Sequence, residues 1–279
     1  MKPHALFTGC FIPAKLPWLE KASVEVLKKL GVEPRYLEFS CCPNTHMKSM
    51  DEDTWLAIAA RNLAIAEKEN LDIIALCSGC SGTLLDAKHL LQDEKKREEV
   101  NKELKKIGLS YEGKNDVRHI VNFIHENIDK ARELIQFPMK MKVAIHDGCH
   151  IQRPSKVMDY CIERMDDLVK MIGLEVVGYP HRDLCCGSAL AAVDQEIAND
   201  LVELKLNELK ESGADALCTP CPLCFLQYEL AQKRLGMELP VFYYPELIAI
   251  AFGFHPNELG VQYHQISAES LIKKCLGLK

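Results

Sequence analysis

Two cysteine doublets raise the first chemical question, one in "FSCCPN" (Phe39 to Asn44) and one in "DLCCGS" (Asp183 to Ser188). A vicinal disulfide is strained, and two adjacent thiols chelate one small ion poorly, so a repeated doublet calls for other chemistry. Each doublet belongs to a longer pattern. Cys10 precedes Cys41 and Cys42, and Cys77 and Cys80 follow them in "LCSGC"; Cys149 precedes Cys185 and Cys186, and "CTPCPLC" (Cys218 to Cys224) follows. Thirty-four residues separate Cys42 from Cys77, and thirty-four separate Cys186 from Cys221. The first intervals are thirty residues (Cys10 to Cys41) and thirty-five (Cys149 to Cys185), so the chain carries an internal repeat with one variable loop.

Composition narrows the chemistry. The chain has thirteen cysteines in 279 residues, an odd number, which argues against complete internal pairing. No run of eighteen apolar residues occurs and "MKPHALFTGC" lacks a long apolar signal, so a cytoplasmic protein with no membrane span is expected, with its thiols reduced. A net charge of -6 and a pI near 6.0 argue against nucleic acid as a bulk partner, though not against a local basic pocket for a small acidic molecule. Zinc takes four ligands, commonly from two CxxC pairs, and would leave a sulfur spare in each half. A ferredoxin cubane needs one more cysteine four positions after "CTPCPLC", where Tyr228 stands. A thioredoxin-like reading of "LCSGC" explains neither the doublets nor the repeat. Five thiolates around a cluster of several irons fit better, because adjacent cysteines can then bind different iron atoms.

The elements that must position these sulfurs read as alternating strands and helices. "HALFTGC", "EPRYLEF" and "LDIIAL" read as strands leading to Cys10, the first doublet and Cys77; "PWLEKASVEVLKKLG" and "DEDTWLAIAARNLAIAEKE" read as the helices between them. "MKVAIHDGC", "LEVVGYP" and "ADAL" repeat the strands, with "PSKVMDYCIERMDDLVKMIG" and "SALAAVDQEIANDLVELKLNELKESG" as helices. "VRHIVNFIHEN" and "VFYYPELIAIAFG" close the halves alike, and "LLQDEKKREEVNKELKKIG" reads as an exposed helical excursion. The expected fold class is α/β, with two similar Rossmann-like domains of parallel sheet related as an internal repeat, residues 1–139 and 140–279. Ligands of such sheets bind beyond the carboxyl ends of the strands, where every motif cysteine falls. Helices starting there aim amides at the same rim, which favours an anionic centre.

The pattern Cx30CCx34CxxC, repeated as Cx35CCx34CxxC, resembles the twin cysteine-rich (CCG) domains of the heterodisulfide reductase B subunit over nearly the whole chain. The resemblance implies two non-cubane [4Fe-4S] clusters that reduce the mixed disulfide of coenzyme M and coenzyme B to two thiols, as in methanogenesis. It implies Cys10, Cys41, Cys42, Cys77 and Cys80 as ligands of the first cluster and Cys149, Cys185, Cys186, Cys221 and Cys224 as ligands of the second. In place of Cys221 with Cys224, "LCTPC" offers Cys218 with Cys221; the equal thirty-four-residue interval and Pro222 as a first helical residue favour the former. No GxGxxG follows a strand, so no flavin or nicotinamide site is expected, and electrons must arrive from elsewhere. In the family they come through the heterodisulfide reductase C and A subunits, with a hydrogenase or formate dehydrogenase attached. The rival expectation is a twin-domain electron-transfer component of a succinate or fumarate reductase-like, or lactate or glycolate oxidase-like, complex.

Outside the cysteines, "HDGCHIQRP" sets His146 and His150 beside a ligand, and an imidazole is suited to protonating a departing thiolate; His150 is the first candidate for this catalytic role. Lys15, Lys48, Arg153 and Arg182 lie within a few residues of motif cysteines as candidate cations for an acidic substrate group. Phe11 and Phe225 are expected to shield a cluster from water, and Cys161 and Cys275 to be structural thiols.

Overall fold

The computed structural model describes residues 2–152 and 162–277; Arg153 and Cys161 lie outside the described residues. Among the described residues eight strands form two sheets of four. The first contains β1 (Lys2–Phe7), β2 (Val32–Arg35), β3 (Ile73–Ala75) and β4 (Val117–His119), and the second β5 (Lys142–Ile145), β6 (Glu175–Val177), β7 (Ala216–Thr219) and β8 (Val241–Tyr243). Every pairing is parallel, in the orders β2-β1-β3-β4 and β6-β5-β7-β8. The central strands β3, β5 and β7 are buried along runs of mostly apolar residues, with only Lys142 at the start of β5 exposed, as strands covered on both faces must be.

The intervening helices show why these sequences fold this way. Pro17 opens helix Pro17–Lys29 at a position whose N–H needs no partner, and Leu19, Ala22, Ser23, Val26 and Leu27 form its buried stripe. Helices Glu52–Lys68 and Gln195–Glu211 have seventeen residues each. Both start at an aspartate: Asp51 accepts from the Thr54 N–H, and Asp194 from those of Glu196 and Ile197. The charged segment forms helix Glu94–Lys105, anchored by buried Val100 and Leu104.

The halves exchange contacts reciprocally. Helix Tyr244–Ala251, which follows β8, packs on Pro17–Lys29 of the first half, and helix Ile120–Glu126, which follows β4, packs on Ile162–Met171 of the second. One apolar core runs through both, joining Leu6, Val26 and Ile74 to Val143, Ile145, Cys218 and Phe242. The contacts extend to single residues. The Tyr243 hydroxyl donates to the carbonyl of Leu76, the residue before Cys77, at 2.6 Å. His119, its counterpart at the end of β4, lies against Pro220, the residue before Cys221.

Three expectations need correction. β2 ends at Arg35 and β6 at Val177, so extended loops, not strand ends, carry the doublets. The stretch read as one helix from Ser188 has only a 3-10 turn, Leu190–Ala192, before the helix that starts at Gln195. A five-residue helix, Phe11–Lys15, follows Cys10 and was not anticipated from periodicity, being shorter than two turns.

Candidate metal centre

In each sheet the first strand sends its chain to one side and the third to the other, so their carboxyl ends open a crevice at a topological switch point. Cys10 and Cys77 leave β1 and β3 at that crevice, and Cys149 and Cys221 leave β5 and β7. Cys77 caps helix Ser78–Leu90 and Cys221 caps helix Pro222–Leu235, which places Cys80 and Cys224 on the first turn of each. A thiolate is favoured there by the helix dipole and unshared amides.

The doublet loops are held from behind by one buried polar side chain each. Asn62 accepts from the Ser40 N–H at 2.8 Å and the Ser40 hydroxyl at 3.1 Å, and donates to the Cys41 carbonyl at 3.2 Å. In the second half Lys205 donates to the carbonyls of His181, Arg182 (3.2 Å) and Leu184 (2.9 Å). Both side chains are withdrawn from solvent.

The result is a single cavity of about 320 Å³ lined by Cys10, Cys41, Cys42, Cys77 and Cys80 from one half and Cys149, Cys185, Cys186, Cys221 and Cys224 from the other. The Cys10 and Cys41 sulfurs are 3.9 Å apart, and the Cys186 thiol donates to Cys224 at 3.3 Å. Within each set the thiols share protons. Cys42 is lowered to about 4 by hydrogen bonds from Cys41 first and Cys80 second. Cys185 is lowered to about 2 by Cys149 first and Cys186 second. Cys41, Cys80 and Cys149 are pushed up as the partners that keep the proton. Cys77 is held well below the ordinary thiol range by Cys221 first and Cys80 second, so the two sets meet at Cys77 and Cys221.

A soft, all-sulfur donor set of this kind suits iron–sulfur clusters or zinc rather than hard cations. The backbone leaves room for such a group. Gly9 and Gly148, each one residue before the first cysteine of its set, have φ of +69° and +82°. A Cβ on Gly9 would stand 2.8 Å from the Cys80 sulfur, and one on Gly148 3.4 Å from Cys221 Cβ and 3.9 Å from the Cys224 sulfur. Glycine is the residue that combines a left-handed turn with so close an approach.

Cys218 is not in the cavity. It lies in β7, fully buried in the shared core, three residues before Cys221 as Ile74 is three before Cys77, and burial pushes its thiol up. Cys275 is likewise buried and away from the cavity. His150 lines the cavity and lowers Cys42, so an imidazole from the second half faces the first set of thiols. His146 is buried and points inward: a ring nitrogen lies within 4.8 Å of the Cys186 and Cys224 sulfurs, and burial lowers its pKa to about 3. That makes it a poor proton donor near neutrality.

Of the candidate cations, Arg182, Lys48 and Lys15 are among the described residues. Arg182 donates to Asp147 at 2.7 and 3.1 Å and pairs with Asp166 at 2.7 Å, so its charge is spent inside the fold. Lys48 pairs with Asp86 at 2.5 Å and sits 4.6 Å over the Trp55 ring. Lys15 is exposed and absent from the cavity lining. Phe11 lines the cavity, but Phe225 meets His264 edge to face in the core, with ring centroids 5.0 Å apart. Sequence reading missed His46, which lines the cavity with Nε2 2.9 Å from the Ala189 carbonyl oxygen, and it missed the loop-holding pair Asn62 and Lys205. Aligning the seventeen-residue helices of the repeat by their aspartate caps would have paired the latter two.

With this geometry in hand, the chain can be compared with known proteins. The CCG cysteine-rich domain model matches residues 4–85 and 143–229. The chain is 35% identical to the B subunit of the ferredoxin/F(420)H(2)-dependent CoB-CoM heterodisulfide reductase of Methanosarcina acetivorans, over 98% of this chain and 97% of that one. It is 29% identical to the 8-methylmenaquinol:fumarate reductase membrane anchor subunit of Wolinella succinogenes, over 97% and 99%. Among solved structures, a hypothetical protein from Helicobacter pylori superposes with a TM-score of 0.77 at 19% identity, over 95% of this chain and 52% of that one, and shares the fold.

Proposed function

Because the chain belongs to the CCG cysteine-rich domain family, carrying two copies in the manner of the heterodisulfide reductase B subunit, we propose that it is the disulfide-reducing component of such a complex. The observation that carries the reading is the meeting of two equal five-thiol sets on one cavity, adjoining at Cys77 and Cys221. Residues 1–139 and 140–279 are the proposed units, each holding one non-cubane [4Fe-4S] cluster through its five cavity cysteines. Clusters held by these cysteines would supply the two electrons that a disulfide takes up.

The overall change is R–S–S–R′ + 2 e⁻ + 2 H⁺ → R–SH + R′–SH, with coenzyme M and coenzyme B as the proposed thiols. The chain's own residues supply position and protons. Cys42 and Cys186 sit on the inner side of each doublet, buried, while Cys10 and Cys41 face outward. His150, on the cavity wall beside Cys42, is the proposed donor to a departing thiolate. Phe11, at the matching position after Cys10, lines the wall without a proton to give. Electrons come from partners, proposed as the heterodisulfide reductase C and A subunits with a hydrogenase or formate dehydrogenase upstream. Among the described residues no helix is long and apolar enough to cross a membrane; a cytoplasmic location is part of the same proposal.

The fumarate reductase relative favours a second reading, an electron-transfer component that handles no disulfide. Turnover separates the two. The complex assembled anaerobically with its partner subunits is assayed for viologen-driven release of two thiols per heterodisulfide. A complex that holds its clusters and passes electrons yet releases no thiol would exclude the first reading and leave the second.

A further inference from the structure

The two sets of thiols are alike in sulfur and unlike in what surrounds it. Aligned by their caps at Cys77 and Cys221, the CxxC helices put Leu84 opposite Tyr228. Aligned by Asp51 and Asp194, the seventeen-residue helices put Asn62 opposite Lys205. The closing strands put Tyr243 opposite His119, both of them helix caps. All six side chains are buried.

Around the first set this shell has no polar group to spare. Leu84 has none, Asn62 is neutral with its amide engaged by Ser40 and Cys41, and the Tyr243 hydroxyl is given to the Leu76 carbonyl. Around the second set it does. The Tyr228 hydroxyl has no hydrogen-bond partner among the described residues and feels Cys186, Cys224 and Cys185 as neighbours. Lys205 gives its donors to the carbonyls of His181, Arg182 and Leu184, so what it adds is a buried charge: burial lowers its pKa to about 8, and Cys186 and Cys224 are the leading groups that favour the ammonium. His119 accepts from the Val121 N–H at Nδ1, so the proton of its neutral ring sits on Nε2 and lies toward the Pro220 backbone, with Cys221 as its leading electrostatic neighbour.

We propose that Lys205, Tyr228 and His119 hold the cluster bound by Cys149, Cys185, Cys186, Cys221 and Cys224 at a higher reduction potential than the cluster bound by Cys10, Cys41, Cys42, Cys77 and Cys80. The inference rests on the two-cluster reading above. Each couple takes up one electron, from a chemical reductant in the titration below or from the partner protein in the complex. That electron adds negative charge, which O–H and N–H donors and a nearby cation stabilise. The first set has a countervailing influence, because Cys10 and Cys41 are exposed and His150 stands beside Cys42. Cys10 and Cys41 face water, where a charge is worth roughly a quarter of what it is worth at a protein-like effective dielectric. The buried shell therefore wins, and the first electron to enter rests on the second cluster, while His150 faces the first. All three are positioning residues, since none lines the cavity.

The test is an anaerobic redox titration of the full reconstituted chain followed by EPR and Mössbauer spectroscopy, with iron and sulfide measured on the same samples. The wild type is expected to titrate in two separate steps. Tyr228→Phe removes one hydroxyl and keeps the ring; Lys205→Asn installs the first half's own residue. In Tyr228→Phe the upper step is expected to fall by about tenfold in its equilibrium constant, about 59 mV for one electron, with the lower step and the iron content unchanged; in Lys205→Asn, which also loosens the loop that carries Cys185 and Cys186, the same fall is expected in the chains that keep their iron. Coincident steps in a fully loaded wild type, or a Tyr228→Phe protein in which only the lower step moves or neither does, would overturn the inference and leave the function standing. A chain that takes up no iron or sulfide would overturn the function and the inference with it.

Discussion

Replacing Gly9 by alanine separates the two halves of the centre in a way that backbone strain alone does not. At φ +69° an alanine costs about 1–2 kcal/mol from its left-handed conformation. Its methyl would also stand 2.8 Å from the Cys80 sulfur, which cannot remain there. Overpacking of that kind adds about 1–3 kcal/mol, less if the sulfur rotates away. Rotation removes Cys80 from the first set, so either response damages the site. Gly148→Ala is the control. Its φ of +82° carries the same conformational cost, but the new Cβ would meet Cys221 Cβ at 3.4 Å and the Cys224 sulfur at 3.9 Å, which is tolerable contact. The expected destabilisation is therefore about 2–5 kcal/mol for Gly9→Ala and about 1–2 kcal/mol for Gly148→Ala. Urea unfolding of both variants, with iron counted per chain, measures this. Gly9→Ala should lose about half of the iron, and Gly148→Ala should keep it. Equal iron loss in the two variants would refute the argument that the Cys80 contact, and not the turn, is what glycine protects.

Further outcomes follow from the site. Cys218→Val should retain full iron and change stability by less than about 1.5 kcal/mol as a near-isosteric core swap, whereas Cys224→Ala should lose the second cluster's iron; metal analysis of the pair decides which thiol is the ligand. His150→Gln should slow disulfide reduction by about a hundredfold or more while leaving iron content and the EPR of the reduced protein unchanged, and equal turnover would remove it as the proton donor. Acid should weaken the fold through His119 and His146, whose pKa values burial lowers to about 4 and about 3. Above the ordinary value of 6.5 both are neutral folded or unfolded; between 6.5 and about 4 only the unfolded chain takes up the protons, so stability falls with pH by about 2.7 kcal/mol per unit for the two together. Unfolding midpoints from pH 7 to pH 5 test this, and His146→Phe, which copies Phe7, should halve the slope.

Much of the site was legible because its signals are local and repeated. The equal interval to each CxxC marks a strand, a helix cap and a first turn in succession, so Cys77 with Cys80 and Cys221 with Cys224 fall where spacing put them. The Cys218 ambiguity was of another kind: two CxxC readings three residues apart look alike as text, and the strand register, which carries Cys218 into the core beside Phe242, distinguishes them. Arg182 and Lys48 are engaged elsewhere for a related reason. Nearness in sequence to a cysteine does not say which carboxylate lies nearer in space, and Asp147 and Asp166 claim Arg182 as Asp86 claims Lys48. β2 is an edge strand whose ladder with β1 ends at the Ala5–Arg35 pair, and beyond the exposed Tyr36 a loop held by Asn62 takes over. The reciprocal packing of Tyr244–Ala251 and Ile120–Glu126 has no local signature at all, since each helix is simply apolar and its partner lies in the other half.

The central claim is that two five-thiol sets hold two iron–sulfur clusters, and metal stoichiometry tests it most directly. Iron, acid-labile sulfide and zinc are measured on the anaerobically reconstituted full chain, together with Cys42→Ala and Cys186→Ala. The account predicts about eight irons and eight sulfides per chain for two four-iron clusters, falling to about half in either variant, with little zinc. One or two zinc ions per chain, no sulfide, and no dependence on Cys42 or Cys186 would contradict it.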